Sequence, residues 1–338
     1  MKKYISNTIK KIVPRKIKAD YRDLKEKKIL RKSYRYDYEK FIKSISSNTE
    51  SQIESQLMFA AHSIEKGLSH EEIRPNFGEN ALMKLSAALE TFNQLEFDKS
   101  NLRYRIALSS LKNYKIYHEK YGIELIHLNV LFSKSILMEV EQADENLSGT
   151  ILLTKKNKEN NKELNFYNLS QGRTSVRDFS EVTVDLCLIE NAIDISMKTP
   201  TVCNRQPNKV YIVKNRKIIS EVLDIQGGYK GYKKPPILLL ISADNRAFVS
   251  VNERNEGFID GGLFSMSMLY ALEYEGLGAC ALNAMLNYSK EQEIKTILKV
   301  SEYENLIMFI AVGHLADKEV KCPKSKRDEY QKITSVIE

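Results

Sequence analysis

The sequence predicts a mostly helical N-terminal domain followed by an α/β or α+β domain. Three observations carry this. Apolar residues keep helical spacing over much of Ser51 to Ala143, residues 155–163 contain no apolar residue, and the chain beyond residue 163 alternates helical with strand patterns. At 338 residues the chain is long enough for two domains with real hydrophobic cores. The balance of 42% hydrophobic and 28% charged residues is that of an ordinary soluble protein, and no apolar run approaches the roughly eighteen residues that would span a bilayer. An integral membrane protein is therefore not expected. Met1-Lys2-Lys3-Tyr4-Ile5 is basic, but no apolar core and no small-residue cleavage site come after it, so a cytoplasmic protein is expected.

Residues 1–50 form a basic arm with 16 Lys/Arg against 6 Asp/Glu, which leaves 36 basic against 38 acidic residues in the rest of the chain. The formal charge of +8 is thus local, and nucleic-acid binding is not expected. Ile5, Ile9, Ile12 and Val13 keep helical spacing until Pro14 interrupts it. The arm reads as a solvated helix packing on the next domain, or as a weak contact with a membrane surface or an acidic partner.

Within the helical domain, 51–154, one stripe is Ile53, Leu57, Ala60, Ala61 and Ile64, and a second is Leu82, Leu85, Ala88, Leu89 and Phe92. A third is Ile126, Val130, Lys134 and Leu137, with one polar interruption. Between the first two lie His62-Ser63-Ile64-Glu65-Lys66-Gly67-Leu68 and Arg74-Pro75-Asn76-Phe77-Gly78, polar enough to hydrogen-bond a ligand. His62 and Glu65 share a helix face, for acid/base work, metal binding or a local hydrogen bond. Lys155 to Glu163 could bury nothing by composition and reads as an exposed linker. Beyond it, in 164–338, the pattern predicts a helix near 184–197, strands at 210–213, 237–241 and 306–312, and a helix at 259–275 opened by Asp260-Gly261-Gly262.

Four segments of this second domain carry chemistry. Arg173-Thr174-Ser175-Val176-Arg177-Asp178-Phe179 places Arg, Ser and Arg at alternate positions, so in extended backbone two guanidinium forks and a hydroxyl face one way, which suits a phosphate dianion. A salt-bridged loop is the alternative. Pro200-Thr201-Val202-Cys203-Asn204-Arg205-Gln206-Pro207 is a loop stiffened by proline at both ends, in which Asn204 and Gln206 offer paired donors and acceptors to a heterocycle edge or cap their own backbone. Gly276-Leu277-Gly278-Ala279-Cys280-Ala281 matches G-x-G-x-x-A on paper, but a helix precedes it where the dinucleotide fingerprint needs a strand. Gly276 and Gly278 therefore read as a helix C-cap and a point of close backbone approach. Cys322-Pro323-Lys324-Ser325-Lys326-Arg327 supplies further cations or is a solvated basic tail. The four cysteines, Cys187, Cys203, Cys280 and Cys322, form no C-x-x-C pair, so neither a zinc site nor a disulfide framework is expected, and Cys203 and Cys280 read as small buried apolar groups.

In this order and spacing, the segments resemble the nitroreductase family of FMN-dependent oxidoreductases over roughly 164–338. Arg173-x-Ser175-x-Arg177-x-Phe179, Pro200-Thr201-x-x-Asn204-x-Gln206-Pro207 and Gly276-Leu277-Gly278-x-Cys280 are similar to the family's R-x-S-x-R-x-F, P-S-x-x-N-x-Q-P and G-L-G-x-C. Thr201 departs from the commoner Ser, Asn208 stands where many members have an aromatic residue, and Gly227 to Tyr232 leaves the middle of the domain hard to align.

The resemblance implies an α+β domain with a central mixed or antiparallel sheet flanked by helices, and FMN bound between two interlocked copies. It implies that Arg173, Thr174, Ser175 and Arg177 hold the FMN phosphate and ribityl chain, closed by Lys326 or Arg327. Asn204 and Gln206 would meet the ring, with Pro200, Thr201, Val202 and Cys203 supplied across the dimer, and Leu277 and Gly278 would approach the flavin with backbone groups. NADH or NADPH would reduce the flavin, which passes electrons to a small organic acceptor, with no catalytic acid or base named. Two other readings are specialised flavin chemistry (dehydrogenation, dehalogenation or flavin breakdown), with 227–232 and the N-terminal domain as a lid, and an adaptor working through residues 1–50. The helical leader is similar to one on a subset of family proteins associated with surface-polysaccharide assembly.

Overall fold

The computed structural model describes residues 14–46 and 48–337. The expected helical spacing of Ile5, Ile9, Ile12 and Val13 lies outside them. Helix α1 (Arg15–Ile45) begins directly after Pro14, whose fixed φ suits a helix start, and runs for 31 residues with most side chains exposed. Asp37, on its inner face, pairs with Arg254 at 2.8 Å. The arm is therefore a solvated helix, and its pairing partner comes from the second half of the chain. No helix among the described residues is long and apolar enough to cross a membrane.

Helices α2 (Glu50–Leu68), α3 (Glu79–Gln94) and α4 (Leu102–Lys120) pack as a bundle. The first two sequence stripes are its core: all ten of their side chains are buried. The third stripe is corrected by the structure. Ile126 and Val130 are exposed: Ile126 lies in a turn before the stretch becomes helical, and extended Phe132 and Ser133 divide the rest into α5 (Leu128–Leu131) and α6 (Lys134–Gln142). Leu128, Phe132, Ile136 and Val140 face the bundle instead.

The second half is built on a four-stranded sheet of order β2-β3-β5-β4, antiparallel throughout. Its strands are β2 (Asn208–Val213), β3 (Ile237–Asp244), β4 (Gly278–Asn283) and β5 (Glu304–Gly313). The run Ile237–Ile241 is apolar at every position because β3 is covered on both faces. Alternate residues divide between two cores. Leu238 and Leu240 meet α9 (Arg216–Gln226) and α11 (Tyr288–Leu298) through Ile219, Val222 and Ile294. Ile237, Leu239 and Ile241 meet α8 (Leu186–Ser196) and α10 (Glu256–Tyr274) through Ile189, Met268 and Leu272. Each such buried side chain contributes about 1.5–3 kcal/mol, so both faces hold the sheet to its helices. The architecture is α+β, as the sequence predicts.

Three sequence expectations change here. Helix α10 starts at Glu256 rather than with Asp260-Gly261-Gly262, so Asp260 lies in its second turn. β4, not expected as a strand, comes directly after the Gly276 turn. Segment 155–163 is not simply exposed. Lys158 and Asn161 are buried, and the Lys158 ammonium meets both Glu273 carboxylate oxygens, one at 2.6 Å, while Asn161 Nδ2 donates to the Glu273 carbonyl at 2.6 Å. Composition missed this because the charge that Lys158 meets is supplied from α10. A short ribbon also joins the halves, β1 (Thr150–Leu153) pairing antiparallel with β6 (Val320–Pro323).

Candidate functional site

Arg173 caps α7 (Phe166–Gly172), and the chain then runs extended along the outer side of β4. Ser175 bridges Ala279 in parallel, and Val176 N–H donates to the Ala279 carbonyl at 2.9 Å. Gly276, at φ 74°, makes the left-handed turn that ends α10, its N–H donating to the Glu273 carbonyl and that of Leu277 to the Leu272 carbonyl. The strand that emerges puts Gly278 beside Val176, whose side chain lies about as close to Gly278 as a Cβ there would tolerate, while Leu277 is buried in the other core, under α8 and α10. The Arg-x-Ser-x-Arg and Gly-Leu-Gly segments, read separately in the sequence, are thus neighbours. Cys280 is fully buried, and burial raises the proton affinity of its thiol against the pull of Arg177, Lys66 and Arg173. Thr174 Oγ1 donates to the Gly172 carbonyl at 3.3 Å.

Arg177 is the unusual member. Its side chain is only 8% exposed, and Nε and Nη1 are buried with no hydrogen-bond partner. Its own carbonyl is held by Tyr229 Oη at 2.5 Å, which fixes the backbone beneath it. A buried guanidinium without a counter-charge costs several kcal/mol, so this position favours an anion brought from outside the chain. Lys66, donating to the Gly228 carbonyl at 2.5 Å, adds a second cation beside it, and burial and then Arg177 lower the proton affinity of Lys66.

The carboxamide loop stands elsewhere. Val202–Asn204 is a single 3₁₀ turn, and Cys203, Asn204 and Gln206 have φ of 49°, 55° and 49°, a conformation non-glycine residues rarely adopt. Three such residues within four positions persist because the loop is clamped. Asp260, 2% exposed, accepts from Val202 N–H at 3.2 Å with each oxygen, and Arg205 forms a fork on Glu253. Glu253 also accepts from Val249 N–H at 2.7 Å and Ser250 N–H at 2.9 Å. Asn204 and Gln206 are left exposed, Gln206 Nε2 reaching back to the Asn204 carbonyl and side-chain oxygens at 3.3 Å. Pro200 and Cys203 are exposed and Thr201 half-buried, with Thr201 Oγ1 accepting from Gln206 N–H at 3.0 Å. Cys203 is therefore not the buried apolar group expected of it, because the tight left-handed turn directs it outward from the sheet. Sequence reasoning reads Asp260 only as the opening of a helix and does not single out Glu253, since nothing local ties a carboxylate to a loop 58 or 48 residues away.

Arg205 holds the Glu253 carboxyl down to about 2, from an ordinary 4.5, with help from the two N–H groups. A depressed carboxyl contributes its stabilisation above its unfolded value and loses it as pH falls through the folded one. The loop clamp is accordingly expected to persist through mild acid and to open only as pH falls from about 4.5 towards about 2. Glu253→Gln should loosen the loop at neutral pH, read as faster amide exchange confined to 200–207; unchanged exchange there would show that the clamp does not order the loop.

The two parts of the site occupy opposite corners of the sheet. Asn208, just after the carboxamide loop, pairs with Ala243 at the far end of β3, on the β2 edge. Ser175 lies beyond β4, in the row of Ala279, Val312 and Ile237 at the other end. Four inter-strand steps and six residues of β3 separate them, about 19 Å across and about 20 Å along the strands. That diagonal exceeds the length of a flavin mononucleotide.

The C-terminal cations are placed by the helical domain. Glu65, buried, accepts from Ser148 Oγ at 2.9 Å and from Ser325 N–H at 3.3 Å; Arg103 binds Asp328 at 2.7 Å and Glu54 at 2.9 Å. Lys326 and Arg327, between these anchors, are exposed. His62 lies 3.8 Å from Glu65 and half exposed, so the pair makes a local contact and Glu65 serves as a clamp on the C-terminal segment. Among the described residues there is no group of three His, Cys, Asp or Glu side chains that could hold a metal ion.

Residues 226–314 match the model of the Nitroreductase family. Solved structures that the chain resembles include a nitroreductase family protein from Clostridium difficile, 18% identical, with 51% of this chain and 98% of that chain covered at a TM-score of 0.41. Another is a nitroreductase family protein from Clostridium novyi, 22% identical, with 49% and 89% covered at 0.39. No curated protein matches the sequence. The matched residues run from the end of α9 to the end of β5, so the similarity to the Nitroreductase family falls in the C-terminal half of the chain.

Proposed function

We propose that the protein is an FMN-dependent NAD(P)H oxidoreductase acting as a homodimer, reducing a small organic acceptor. The observation that carries the cofactor assignment is the pair of buried, unpartnered guanidinium nitrogens of Arg177, Nε and Nη1. A phosphate supplies the charge it lacks, and Arg173 and Ser175, on the same extended segment, supply the remaining donors. Bound there, FMN would accept a hydride from NADH or NADPH and release electrons to the acceptor.

The residues bind, orient and shield. Arg173, Thr174, Ser175 and Arg177 hold the phosphate and ribityl chain, Leu277 and Gly278 present backbone groups from the start of β4, and Lys326 or Arg327 closes the anion site. Asn204 and Gln206 offer donors to the pyrimidine side of the ring, where negative charge builds on reduction. The distance between the corners supports assigning Pro200 to Gln206 to the site of a second copy, so that each of two equivalent sites takes its phosphate half from one chain and its carboxamide half from the other. The left-handed backbone of Cys203, Asn204 and Gln206 supports a ligand-facing role, since strain of this kind, about 1–3 kcal/mol per residue, collects where binding uses it.

The test is an absorbance spectrum of purified protein saturated with FMN and desalted, then anaerobic addition of NADPH or NADH. The expected result is a yellow protein with about one flavin per chain, bleached by at least one of the two nucleotides. Colourless protein, or flavin that neither nucleotide bleaches, contradicts the reading.

A further inference from the structure

Beside Arg177, the end of α2 and the loop after α9 enclose a cleft of about 830 Å³ that no role above uses. The sequence flags both walls separately: Lys66-Gly67 and Arg74 to Gly78 on one side, Gly228 to Tyr232 on the other. They are locked together. Lys66 Nζ donates to the Gly228 carbonyl, Tyr232 Oη bonds the Lys66 carbonyl and Ser69 Oγ at 2.8 Å each, and His70 stacks on Tyr232 with centroids 3.9 Å apart. Phe77 lies so close over Gly67 that a Cβ there would fall within 1.9 Å of its ring, so only glycine lets the aromatic wall form.

The charges in this cleft are unequally committed. Two of its carboxylates are already paired, Glu71 and Asp178 sharing the single charge of Lys318, which is 3.3 Å from Asp178. Its exposed cations Arg74, Lys230 and Lys233 make no hydrogen bond or ion pair with the protein among the described residues. Lys66 and Arg177 add positive potential from behind; burial chiefly, and then Lys66, Arg74 and Arg177, lower the proton affinity of His70. Glu72 also lines the cleft and is exposed without an ion pair among the described residues, so Lys66, Arg74, Lys230 and Lys233 outnumber the carboxylates that Lys318 does not already hold. Cations in excess around an aromatic wall favour a ligand that is flat and negatively charged.

We propose that this cleft binds a small aromatic anion bearing a carboxylate or phosphate, the class from which the electron acceptor is drawn. Only the role as acceptor rests on the oxidoreductase reading; the binding site stands on the cleft itself. Specificity then comes from the helical domain, which contributes Lys66, His70, Arg74 and Phe77 to a site bordered on the other side by the flavin half.

The experiment is calorimetric titration of the full-length, FMN-saturated protein with 4-nitrobenzoate, with 4-nitrophenyl phosphate and with the neutral 4-nitrobenzamide. At least one anion is expected to bind about tenfold more tightly than the amide, the better of the two identifying carboxylate or phosphate as the preferred group. In Arg74→Ala with Lys230→Ala, both exposed positions, that preference should vanish while amide binding and flavin absorbance stay as in the unsubstituted protein. Anions that bind no better than the amide, or a preference that survives the double substitution, overturn the proposal. Flavin absorbance in the same samples reports the oxidoreductase reading separately, so colourless protein that still shows the Arg74- and Lys230-dependent preference sinks that reading and upholds the cleft.

Discussion

Arg177→Met should weaken FMN binding by about 100-fold while leaving the flavin-free protein as stable as before or more so. The two effects have one cause. In the free chain, Nε and Nη1 are buried without partners, so an apolar side chain of similar length removes a desolvated charge and fills the same space. It also removes the like charge beside Lys66. With FMN bound the balance reverses, because charge-assisted hydrogen bonds contribute about 1.5–3 kcal/mol each and the substitution deletes a fork of them. Arg177→Lys should fall between, keeping the charge and losing the planar pair of donors. Fluorescence titration with FMN and thermal denaturation of the flavin-free protein measure the two arms. FMN affinity that survives Arg177→Met would remove the phosphate assignment, and a large loss of flavin-free stability would show that Arg177 is a structural group.

The largest effect on stability is expected at Lys158 and Glu273. Both are buried, the ammonium meets both carboxylate oxygens, and Asn161 ties the same turn to the Glu273 backbone. Burial raises the proton affinity of the Glu273 carboxyl against the opposing pull of Lys158. Truncating one partner leaves the other as an uncompensated buried charge, at a cost of about 3–5 kcal/mol. For a chain of 338 residues, Glu273→Ala should lower Tm by roughly 4–7 °C. Lys158→Met combined with Glu273→Leu should restore most of the loss, since the exchange deletes both charges and keeps the volume. Single substitutions no worse than surface changes would show that water reaches the pair. Because the pair lies just before the Gly276 turn, Glu273→Ala should also weaken FMN binding through β4, an effect the double exchange should reverse.

How far the sequence reveals this arrangement depends on the range of the interaction. Helices α2 and α3 were legible because a 3.6-residue period needs only the residues themselves, and β3 because a strand covered on both faces is apolar at every position. The third helical stripe fails at Phe132 and Ser133, where two extended residues reset the phase of the next helix. β4 escaped notice because Gly278-Ala279-Cys280-Ala281 has small side chains and comes straight after a helix cap, so it reads as the rest of the turn. β1 and β6 are four residues each and pair only with one another, across some 170 residues of sequence. Segment 155–163 was read by composition, which cannot see that Lys158 meets Glu273.

The site was legible as letters and not as a place. Arg173 to Arg177, Asn204 to Gln206 and Leu277-Gly278 could be singled out, because side-chain chemistry and alternation are local. That Asp260 and Glu253 hold the carboxamide loop was not visible, nor was the docking of Lys66 and His70 against Gly228 and Tyr232. Each of those contacts joins segments whose only relation is the fold.

The central claim is that neither copy alone completes a flavin site, and mixing two defective chains tests it most directly. One carries Arg173→Ala and Arg177→Ala, the other Asn204→Ala and Gln206→Ala, and each alone should retain little FMN. Unfolded together and refolded in equal amounts, half of the dimers pair the two kinds, and each of these has one site with both halves intact, so about a quarter of all sites should recover FMN. Retention no higher than in the separate variants would mean that both halves of each site belong to the same chain.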